Sequence, residues 1–301
     1  MSNIKKIVIG LIAFIVITPM VALGYFYFKL NSIYDKDTAK EINDKIEKVD
    51  ESNGITNVLL IGVDGDNLDK GDRAGSTMII TIDENIKSVR LTSISRDTLV
   101  DIPEHGEGAL CEAYTYGGPA LLLQTIDKNF GVKIDKYASF SYESFPEIID
   151  IIGGIDVSIK PKEVDSISGI DKAGNQTLNG EQAIEYTWIH DDGDYERDER
   201  QRTVIEATYN KLMDNFASNF MEVGEEIFKH AKTNMTPTEI VSLANKVISI
   251  GDTHIAQMEF PMKNYREVEQ VDDEKWVINW DEDYNKDQLN KFIYDYHNYR
   301  H

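Results

Sequence analysis

Three short stretches of the sequence carry arginines at positions that can bind phosphate. They lie at predicted strand ends and in loops, where α/β proteins usually place their functional groups. A guanidinium pairs bidentately with phosphate oxygens, so a few converging arginines can bind a pyrophosphate even in a chain of net charge -22. The stretches are DRAGS with Arg73, SISRDTLVDIP with Arg96 and Asp97, and DYERDERQR with Arg197, Arg200 and Arg202.

Carboxylates lie close in sequence to the first of these arginines. Asp64 ends the apolar run NVLLIGVD, and Asp66 and Asp72 follow it. A hard cation prefers oxygen ligands, so these side chains can hold a Mg²⁺ that bridges phosphates, which would suit phosphoryl chemistry. A structural explanation is also open, in which Asp64 caps a turn and the arginines of ERDERQR form exposed ion pairs on a helix. Charge and spacing by themselves leave the function undecided.

The rest of the composition argues against several other functions. None of the six histidines lies in an HExxH motif and no GxSxG motif occurs, which disfavours a zinc site and a serine nucleophile. The single cysteine, Cys111, cannot form an internal disulfide, so the fold must rely on its hydrophobic core. With 53 acidic against 31 basic residues, most of the surface repels a polyanion, and we expect no nucleic-acid partner.

Alternating strand and helix patterns position these residues. From Asn57 to residue 159 the predicted elements are, in order, the strands NVLLIGVD, TMIITID and SVRLTSIS, the helix GGPALLLQTIDKNFG, the strand YASFSY, the helix ESFPEIIDIIGG and the strand IDVSI. From Asn179 the pattern is mostly helical, with late strands in THIAQMEFPM and KWVINW and a closing helix in EDYNKDQLNKFIYDYHNY. The alternation predicts an α/β domain in which helices cover a central mixed sheet.

An apolar segment near the start of the chain predicts a membrane anchor. Residues 7–28 carry no charged side chain and can cross a bilayer core of roughly 30 Å as a helix. A cleaved signal peptide is the alternative, but the apolar run is long for one. Lys5 and Lys6 precede the segment, which orients the N-terminus towards the cytoplasm. We therefore expect a cytoplasmic tail (1–6), one transmembrane helix (7–28), a stalk or linker (29–53) and an extracytoplasmic domain (54–301).

Seven segments, in order along the chain, resemble the LytR-CpsA-Psr family of membrane-anchored bacterial proteins. They are NVLLIGVD, RAGSTMII, VRLTSISRDTLVDIP, AYTYGGPALLLQTI, GGIDVSI, LNGEQAIEY and RDERQR, and the match runs from about Asn57 to Leu212. The resemblance implies an α-β-α sandwich with an apolar pocket for a lipid tail. It also implies a phosphotransferase that moves a glycopolymer, such as teichoic acid or capsule, from a polyprenyl-pyrophosphate carrier to peptidoglycan at the outer membrane face.

The resemblance assigns roles to individual residues. Asp64 matches the first aspartate of the family's metal site, which binds Mg²⁺. Arg73, Arg96 and Asp97 match positions implied in catalysis. The positions that match pyrophosphate-binding residues are Arg73, Arg96, Arg197, Arg200 and Gln201.

The sequence departs from the family pattern at several functional positions. Gly75 stands where a second carboxylate is usual, and Ser95 replaces a proline. Further departures replace a cation and an amide by Ala109 and Cys111, and two arginines by Trp188 and by either Ile189 or His190. At least three positive charges are thereby lost, each worth about 1.5–3 kcal/mol when it contacts a buried phosphate.

Two functions are compatible with this pattern. In the first, the protein is a divergent transferase in which Arg73 and Arg96 clamp phosphates, Asp97 orients Arg96 or assists proton removal, and Asp64 holds Mg²⁺. In the second, it is a lipid-binding or scaffold protein of the cell envelope that has lost turnover. A transcription attenuator fits least, because the domain would be separated from DNA by the membrane. The role of the region after Leu212, which lies beyond the resemblance, stays open.

Overall fold

The computed structural model describes residues 27–65, 68, 72–141, 145–189, 194–214, 229–251, 255–271 and 276–299. The predicted cytoplasmic tail and nearly all of the predicted transmembrane helix lie outside these ranges, as do Asp66 and His190. Within the ranges just given, no helix is both long and apolar enough to cross a bilayer. The membrane anchor therefore stays a prediction.

A mixed sheet forms the centre of the domain. The strands, numbered along the chain, are β1 (Ile55–Asp64), β2 (Arg73–Asp83), β3 (Ser88–Ile94), β4 (Leu99–Ile102), β5 (Gly106–Ala109), β6 (Tyr137–Ser141), β7 (Ile155–Ile159), β8 (Gly174–Leu178), β9 (Ala231–Thr233), β10 (Ala256–Phe260), β11 (Arg266–Gln270) and β12 (Trp276–Trp280). The central sheet has the order β10-β3-β2-β1-β6-β9. Strand β2 is antiparallel to β1 and β3, whereas β6 is parallel to β1 and β10 is parallel to β3. The predicted α/β class with a central mixed sheet is confirmed.

Helices fill the connections between these strands. They are α1 (Lys36–Lys45), α2 (Leu110–Phe130), α3 (Phe145–Ile151), α4 (Gly180–Trp188), α5 (Asp194–Asp214), α6 (Pro237–Ile250), α7 (Glu282–Tyr294) and α8 (Tyr296–Tyr299). Two short 3₁₀ turns occupy Pro161–Ser166 and Lys263–Tyr265. Apart from α1, each of these helices overlaps a segment in which the sequence predicts helix, and the predicted closing helix 282–299 is divided into α7 and α8.

Helices cover both faces of the sheet. Leu59 of β1 shares the larger hydrophobic core with Leu122 of α2 and Phe292 of α7. Met78 of β2 points to the opposite face, where it packs with Ile205 of α5. Strands β1 and β2 are accordingly buried along nearly their whole length, as is typical of strands that are covered on both sides. The layers are those of the expected α-β-α sandwich.

Helix α2 begins earlier than its sequence predicts. The glycine pair and the proline of GGPALLLQTI suggest a helix start at Gly117, but α2 begins at Leu110 and continues across a kink. Gly118 has φ 62° at this kink, a conformation that is accessible to glycine at little cost. The turn before the kink is stabilised by burial, because Leu110 and Tyr114 are fully enclosed by the core. The predicted helix end at Gly131, which adopts φ 70°, is confirmed.

The segment predicted to be a stalk or linker contacts the domain. Asp35 caps α1 by accepting a hydrogen bond from the Thr38 amide. Ala39 and Ile42 of α1 are buried, and Ile42 belongs to the larger core beneath α2. Much of the region 29–53 is therefore packed against the domain surface.

Three two-stranded sheets lie beside the central one, and the sequence predicts them only in part. Strands β5, β8 and β11 have the sequences GEGA, GNQTL and REVEQ, which lack apolar alternation, so they adopt strand conformation through pairing with β4, β7 and β12. The sheet formed by β11 and β12 supports the segment that carries Arg96 and Asp97. The Ile278 amide of β12 donates a hydrogen bond of 2.8 Å to the Asp97 carbonyl.

Candidate active site

A cavity of about 470 Å³ lies at one edge of the central sheet. Strands β1 and β3 run in the same direction, because each is antiparallel to β2, so their carboxyl ends meet at this edge. Ligands of α/β proteins commonly bind beyond the carboxyl ends of such strands. The cavity is lined by Asp64, Gly65, Gly75, Arg96, Pro146, Ile184, Trp188, Arg197 and Gln201.

The sheet supplies the polar wall of the cavity. Asp64 is the last residue of β1, and Arg96 follows the end of β3 by two residues. Arg96 Nη1 lies 3.8 Å from Asp64 Oδ2, and Arg96 Nε lies 3.6 Å from Asp97 Oδ2. Asp97 is absent from the residues that line the cavity, and its carboxylate lies beside the Arg96 guanidinium instead. The predicted association of Asp64, Arg96 and Asp97 is present.

Helices α4 and α5 supply the opposite wall. Ile184 and Trp188 are four residues apart on α4, and Arg197 and Gln201 are four residues apart on α5, so each pair shares one face of its helix. Helix α3 adds Pro146, which gives this wall an apolar section beside its polar one. The cavity therefore combines guanidinium groups with an apolar surface.

Two of the predicted pyrophosphate-binding arginines lie outside the cavity lining. Arg73 is exposed at the start of β2, where its Cα pairs in register with that of Asp64. Arg200 is buried, with Nε donating to Glu163 Oε1 at 2.9 Å and Nη1 donating to the Ile189 carbonyl at 2.6 Å. We correct the role of Arg200 accordingly: it fixes α5 to the turn that carries Glu163 and does not face the ligand space.

Glu163 is a residue that sequence reasoning missed. Its side chain is fully buried, and it accepts hydrogen bonds from Arg200 and from the Lys160 amide. The sequence signal is the proline at position 161 followed by Glu163, which is typical of a short helical start with a capping box. This ion pair holds α5 in the register that points Arg197 and Gln201 into the cavity.

Burial and charge act on the Asp64 carboxyl in opposite directions. Burial raises its pKa above the usual value of an aspartate, and Asp72 adds to this rise. Arg96, Arg197 and Arg73 lower the same pKa, because each favours the charged carboxylate. The arginines that the sequence places in three separate stretches therefore act together on one group.

Gly75 explains how Asp64 is oriented. A Cβ built on Gly75 would overlap Asp64 Oδ1 and lie 2.7 Å from its Cγ. The missing side chain at position 75 thus leaves the space in which the Asp64 carboxylate lies. A second carboxylate at this position requires Asp64 to move.

The donor groups can be compared with what Mg²⁺ requires. No group of three or more Asp, Glu, His or Cys side chains that could hold a metal exists in the part of the chain that the structure describes. Magnesium at phosphate sites commonly uses one or two carboxylates and takes its remaining ligands from phosphates and water. Asp64, half exposed and next to the guanidinium that would bind the same phosphates, fits this minimal arrangement.

The other departures from the family pattern have different locations. Trp188 lines the cavity, whereas Ile189 is buried in the smaller core formed by β7, α3 and α4. Ala109 and Cys111 are buried at the start of α2 and are not part of the cavity lining. The Cys111 amide donates to the Arg96 carbonyl at 2.9 Å, so this turn supports Arg96 from behind.

The cavity of this α/β protein combines guanidinium groups, a single lining carboxylate among the described residues and an apolar section, a lining that suits an amphipathic anion. The sequence profile of the LytR_cpsA_psr family matches residues 24–292. The chain belongs to this family. The matched region starts before the predicted stalk and continues well past Leu212, so it includes the late strands and most of α7.

Relatives and solved structures agree with this membership. The chain is 31% identical over 257 residues to the polyisoprenyl-teichoic acid--peptidoglycan teichoic acid transferase TagU of Enterococcus faecalis, covering 81% of this chain and 84% of that one. It is 25% identical over 274 residues to the corresponding transferase TagT of Bacillus subtilis, covering 84% of each chain. A solved structure described as TagT bound to LI-WTA has the same fold, with a TM-score of 0.69 at 20% identity over 83% of this chain and 93% of that chain.

Proposed function

We propose that the protein transfers a glycopolymer from a polyprenyl-pyrophosphate carrier to peptidoglycan during cell-wall assembly. The observation that carries this proposal is the cavity, in whose lining Arg96, Arg197 and Asp64 are combined with an apolar section. A polyprenyl diphosphate needs both kinds of surface, guanidinium groups for its phosphates and apolar contacts for its isoprenoid chain. The names of the relatives given above support the same substrate class.

The chemistry follows from the positions of these side chains. Arg96 and Arg197 bind the phosphate oxygens, and Asp97 keeps the Arg96 guanidinium aligned. A hydroxyl of the peptidoglycan acceptor attacks the phosphorus that carries the glycan. The bond from this phosphorus to the bridging oxygen breaks, polyprenyl phosphate leaves, and the hydroxyl proton is released to solvent. Arginines that face the developing charge on phosphorus stabilise the transition state more than the ground state.

Magnesium and the membrane anchor belong to this proposal. When bound, Mg²⁺ would supply positive charge that neutralises the diphosphate, and Asp64 is the residue that would hold it. The segment 7–28 would place the domain on the outer side of the cell membrane, next to both the lipid carrier and peptidoglycan.

Transfer of labelled glycan from a polyprenyl diphosphate to peptidoglycan fragments, catalysed by the full chain in lipid vesicles, tests the proposal. We expect Arg96→Ala to reduce the rate by more than about 100-fold, because it removes a charged donor to the reacting phosphate. Arg96→Lys keeps the charge but loses the bidentate geometry, so its rate is expected to lie between those of wild type and Arg96→Ala. Lys286→Ala, which removes a cation of α7 outside the cavity lining, serves as the control. Transfer that survives Arg96→Ala unchanged would contradict this use of the cavity.

A second candidate function, a lipid-binding or scaffold protein of the cell envelope without turnover, is favoured by one observation. The space that a second carboxylate needs at Gly75 is filled by Asp64 itself, which is expected of a site that binds its ligand without turning it over. In that case the wild-type chain binds polyprenyl diphosphate, and Arg96→Ala weakens the binding, but no transfer is seen with or without Mg²⁺. Measuring ligand binding and transfer on the same samples separates the two functions.

A further inference from the structure

Trp188 lies at the mouth of the cavity. It is the last residue of α4, and 63% of its surface is exposed although it lines the same space as Arg96 and Arg197. Gln201, which lines this space from α5, is 8% exposed and therefore lies deeper. The cavity lining thus ranges from a largely buried Gln201 to an indole ring that is mostly in contact with water.

The other two tryptophans have different environments. Trp280 packs edge-on against Phe130 and Phe260 and donates a hydrogen bond from Nε1 to the Leu99 carbonyl. Trp276 is 52% exposed on β12 and is not part of the cavity lining. The chain therefore contains one exposed tryptophan at the cavity and one away from it, which gives an internal control.

The exposure of Trp188 restricts what can bind to it. An isoprenoid chain resting on an indole that is mostly in water would gain little, because much of its own apolar surface would stay hydrated. A hexopyranose ring has one face of C–H groups that can stack on an indole, while its hydroxyl groups stay in water. A partly exposed aromatic side chain next to phosphate-binding arginines therefore matches a sugar that is attached to a phosphate.

The wall beside Trp188 is consistent with this occupant. Ile184 lies one helical turn before Trp188 on the same face of α4, and Pro146 of α3 borders the same space. Arg96 lies on the opposite, sheet-side wall, and Arg197 of α5 borders the same space. A ligand whose phosphates contact these arginines places the group attached to its outer phosphate towards the mouth, where the indole lies.

We propose that Trp188 is the platform on which the first sugar of the carrier-linked glycan stacks, so that this residue selects glycan-bearing diphosphates over bare polyprenyl diphosphate. The inference rests on the proposed function, and it adds a specificity role for a residue at which the family pattern has an arginine. The stacked sugar is held by contact with the ring face rather than by charge.

Binding of two matched ligands to the full chain tests this proposal. One ligand is a short polyprenyl diphosphate that carries a single hexopyranose, and the other is the same polyprenyl diphosphate without sugar. We expect Trp188→Ala to weaken binding of the sugar-bearing ligand by about fivefold to tenfold, as is usual for the loss of one aromatic contact. Binding of the sugar-free ligand is expected to change by less than about twofold. Trp188→Phe should keep most of the affinity for the sugar-bearing ligand, and Trp276→Ala should change neither.

Tryptophan fluorescence gives a second readout that a purely structural role would not change. The sugar-bearing ligand is expected to alter the emission of wild type and of Trp276→Phe, and to leave that of Trp188→Phe unchanged. Equal losses for both ligands in Trp188→Ala would assign the indole to the lipid chain and overturn the proposal. A wild type that binds the sugar-free ligand but shows no preference for the sugar would also overturn it, while leaving the proposed function in place. A wild type that binds neither ligand would remove the proposed function and this inference together.

Discussion

The Asp64 carboxylate lies over the backbone of Gly75, in the space that a side chain at position 75 would occupy. These two residues are neighbours because β1 and β2 pair in antiparallel register, with Asp64 opposite Arg73 and a register shift after Gly62. A bulge of this kind re-aims the side chains at the end of a strand. The Asp64 carboxylate can therefore occupy this position because residue 75 has no side chain.

Gly75→Asp is expected to make the stability of the protein dependent on Mg²⁺. Without the ion, two carboxylates compete for one space and repel each other, and we expect the variant to be less stable than wild type by about 1–3 kcal/mol. Millimolar Mg²⁺ should recover part of this loss, because the ion binds between the carboxylates. Thermal unfolding with and without Mg²⁺ measures both effects. Gly75→Asn, similar in shape but uncharged, should be destabilised without any response to Mg²⁺, and an equal response of the two variants would contradict the expectation.

Arg200 is expected to contribute to stability rather than to ligand contact. Removing one member of a buried ion pair leaves the other charge without compensation, so Arg200→Met should cost about 3–5 kcal/mol of unfolding free energy. The double variant Arg200→Met with Glu163→Leu should recover much of this loss. Urea unfolding measures these differences.

An exposed ion pair between the same two segments provides the control for Arg200. Lys160 Nζ lies 3.2 Å from Glu199 Oε2, with both side chains nearly half exposed. Lys160→Met is expected to change stability by less than about 1 kcal/mol. If Arg200→Met were as mild as Lys160→Met and instead abolished diphosphate binding, the assignment of Arg200 to the buried pair would be wrong.

Glu51 is expected to make stability depend on acid pH. Burial opposes its charge, but Lys136 Nζ at 2.6 Å and Lys246 Nζ at 3.0 Å outweigh this and lower its pKa from 4.5 to about 2. Because the folded-state pKa is depressed, the stabilisation is complete above the ordinary pKa of glutamate and is lost as pH falls through about 2. We expect Glu51→Gln to cost roughly 1 kcal/mol at neutral pH, a value discounted for the partial exposure of the side chain. Denaturant unfolding of both proteins from neutral to acid pH should show this difference shrinking, and a constant difference would contradict it.

Cys111 is expected to be unreactive in the folded protein. Burial, reinforced by the nearby Asp97 carboxylate, raises the pKa of its thiol to about 11, although Arg96 opposes the rise. Only the thiolate reacts with alkylating reagents, so we expect alkylation by iodoacetamide at mildly alkaline pH to be slow in buffer and fast in denaturant. Mass spectrometry after timed labelling measures the two rates. Ligand binding should be the same before and after exposure of the folded protein to the reagent, and rapid labelling in buffer would show that the start of α2 is open.

Local sequence patterns predict most of the helices and the central strands, but not all of the strands that pair with them. Apolar runs predict β1, β2 and β3 closely, because a strand buried on both faces has a strong sequence signal. Strands β8 and β11 have no such signal, since their own residues are mostly polar and their conformation depends on pairing with β7 and β12. The start of α2 was missed because the glycine pair and proline further along the chain gave the stronger start signal. Residues 110–116 are instead held by burial of Leu110 and Tyr114 and by the Glu112 carboxylate, which accepts from the Ala109 amide.

The sequence by itself determined the kind of groups at the site and their family. The arginines at positions 96 and 197, the aspartate at 64 and the glycine at 75 can all be recognised in the printed sequence, because side-chain chemistry and motif order are local properties. Only the tertiary structure decided which groups share a space. Arg197 lines the cavity, whereas Arg200, three residues later, is bound to Glu163. Trp188 lies at the cavity mouth. The physical reason is that helix rotation and strand register set the direction of each side chain, and long-range packing fixes both.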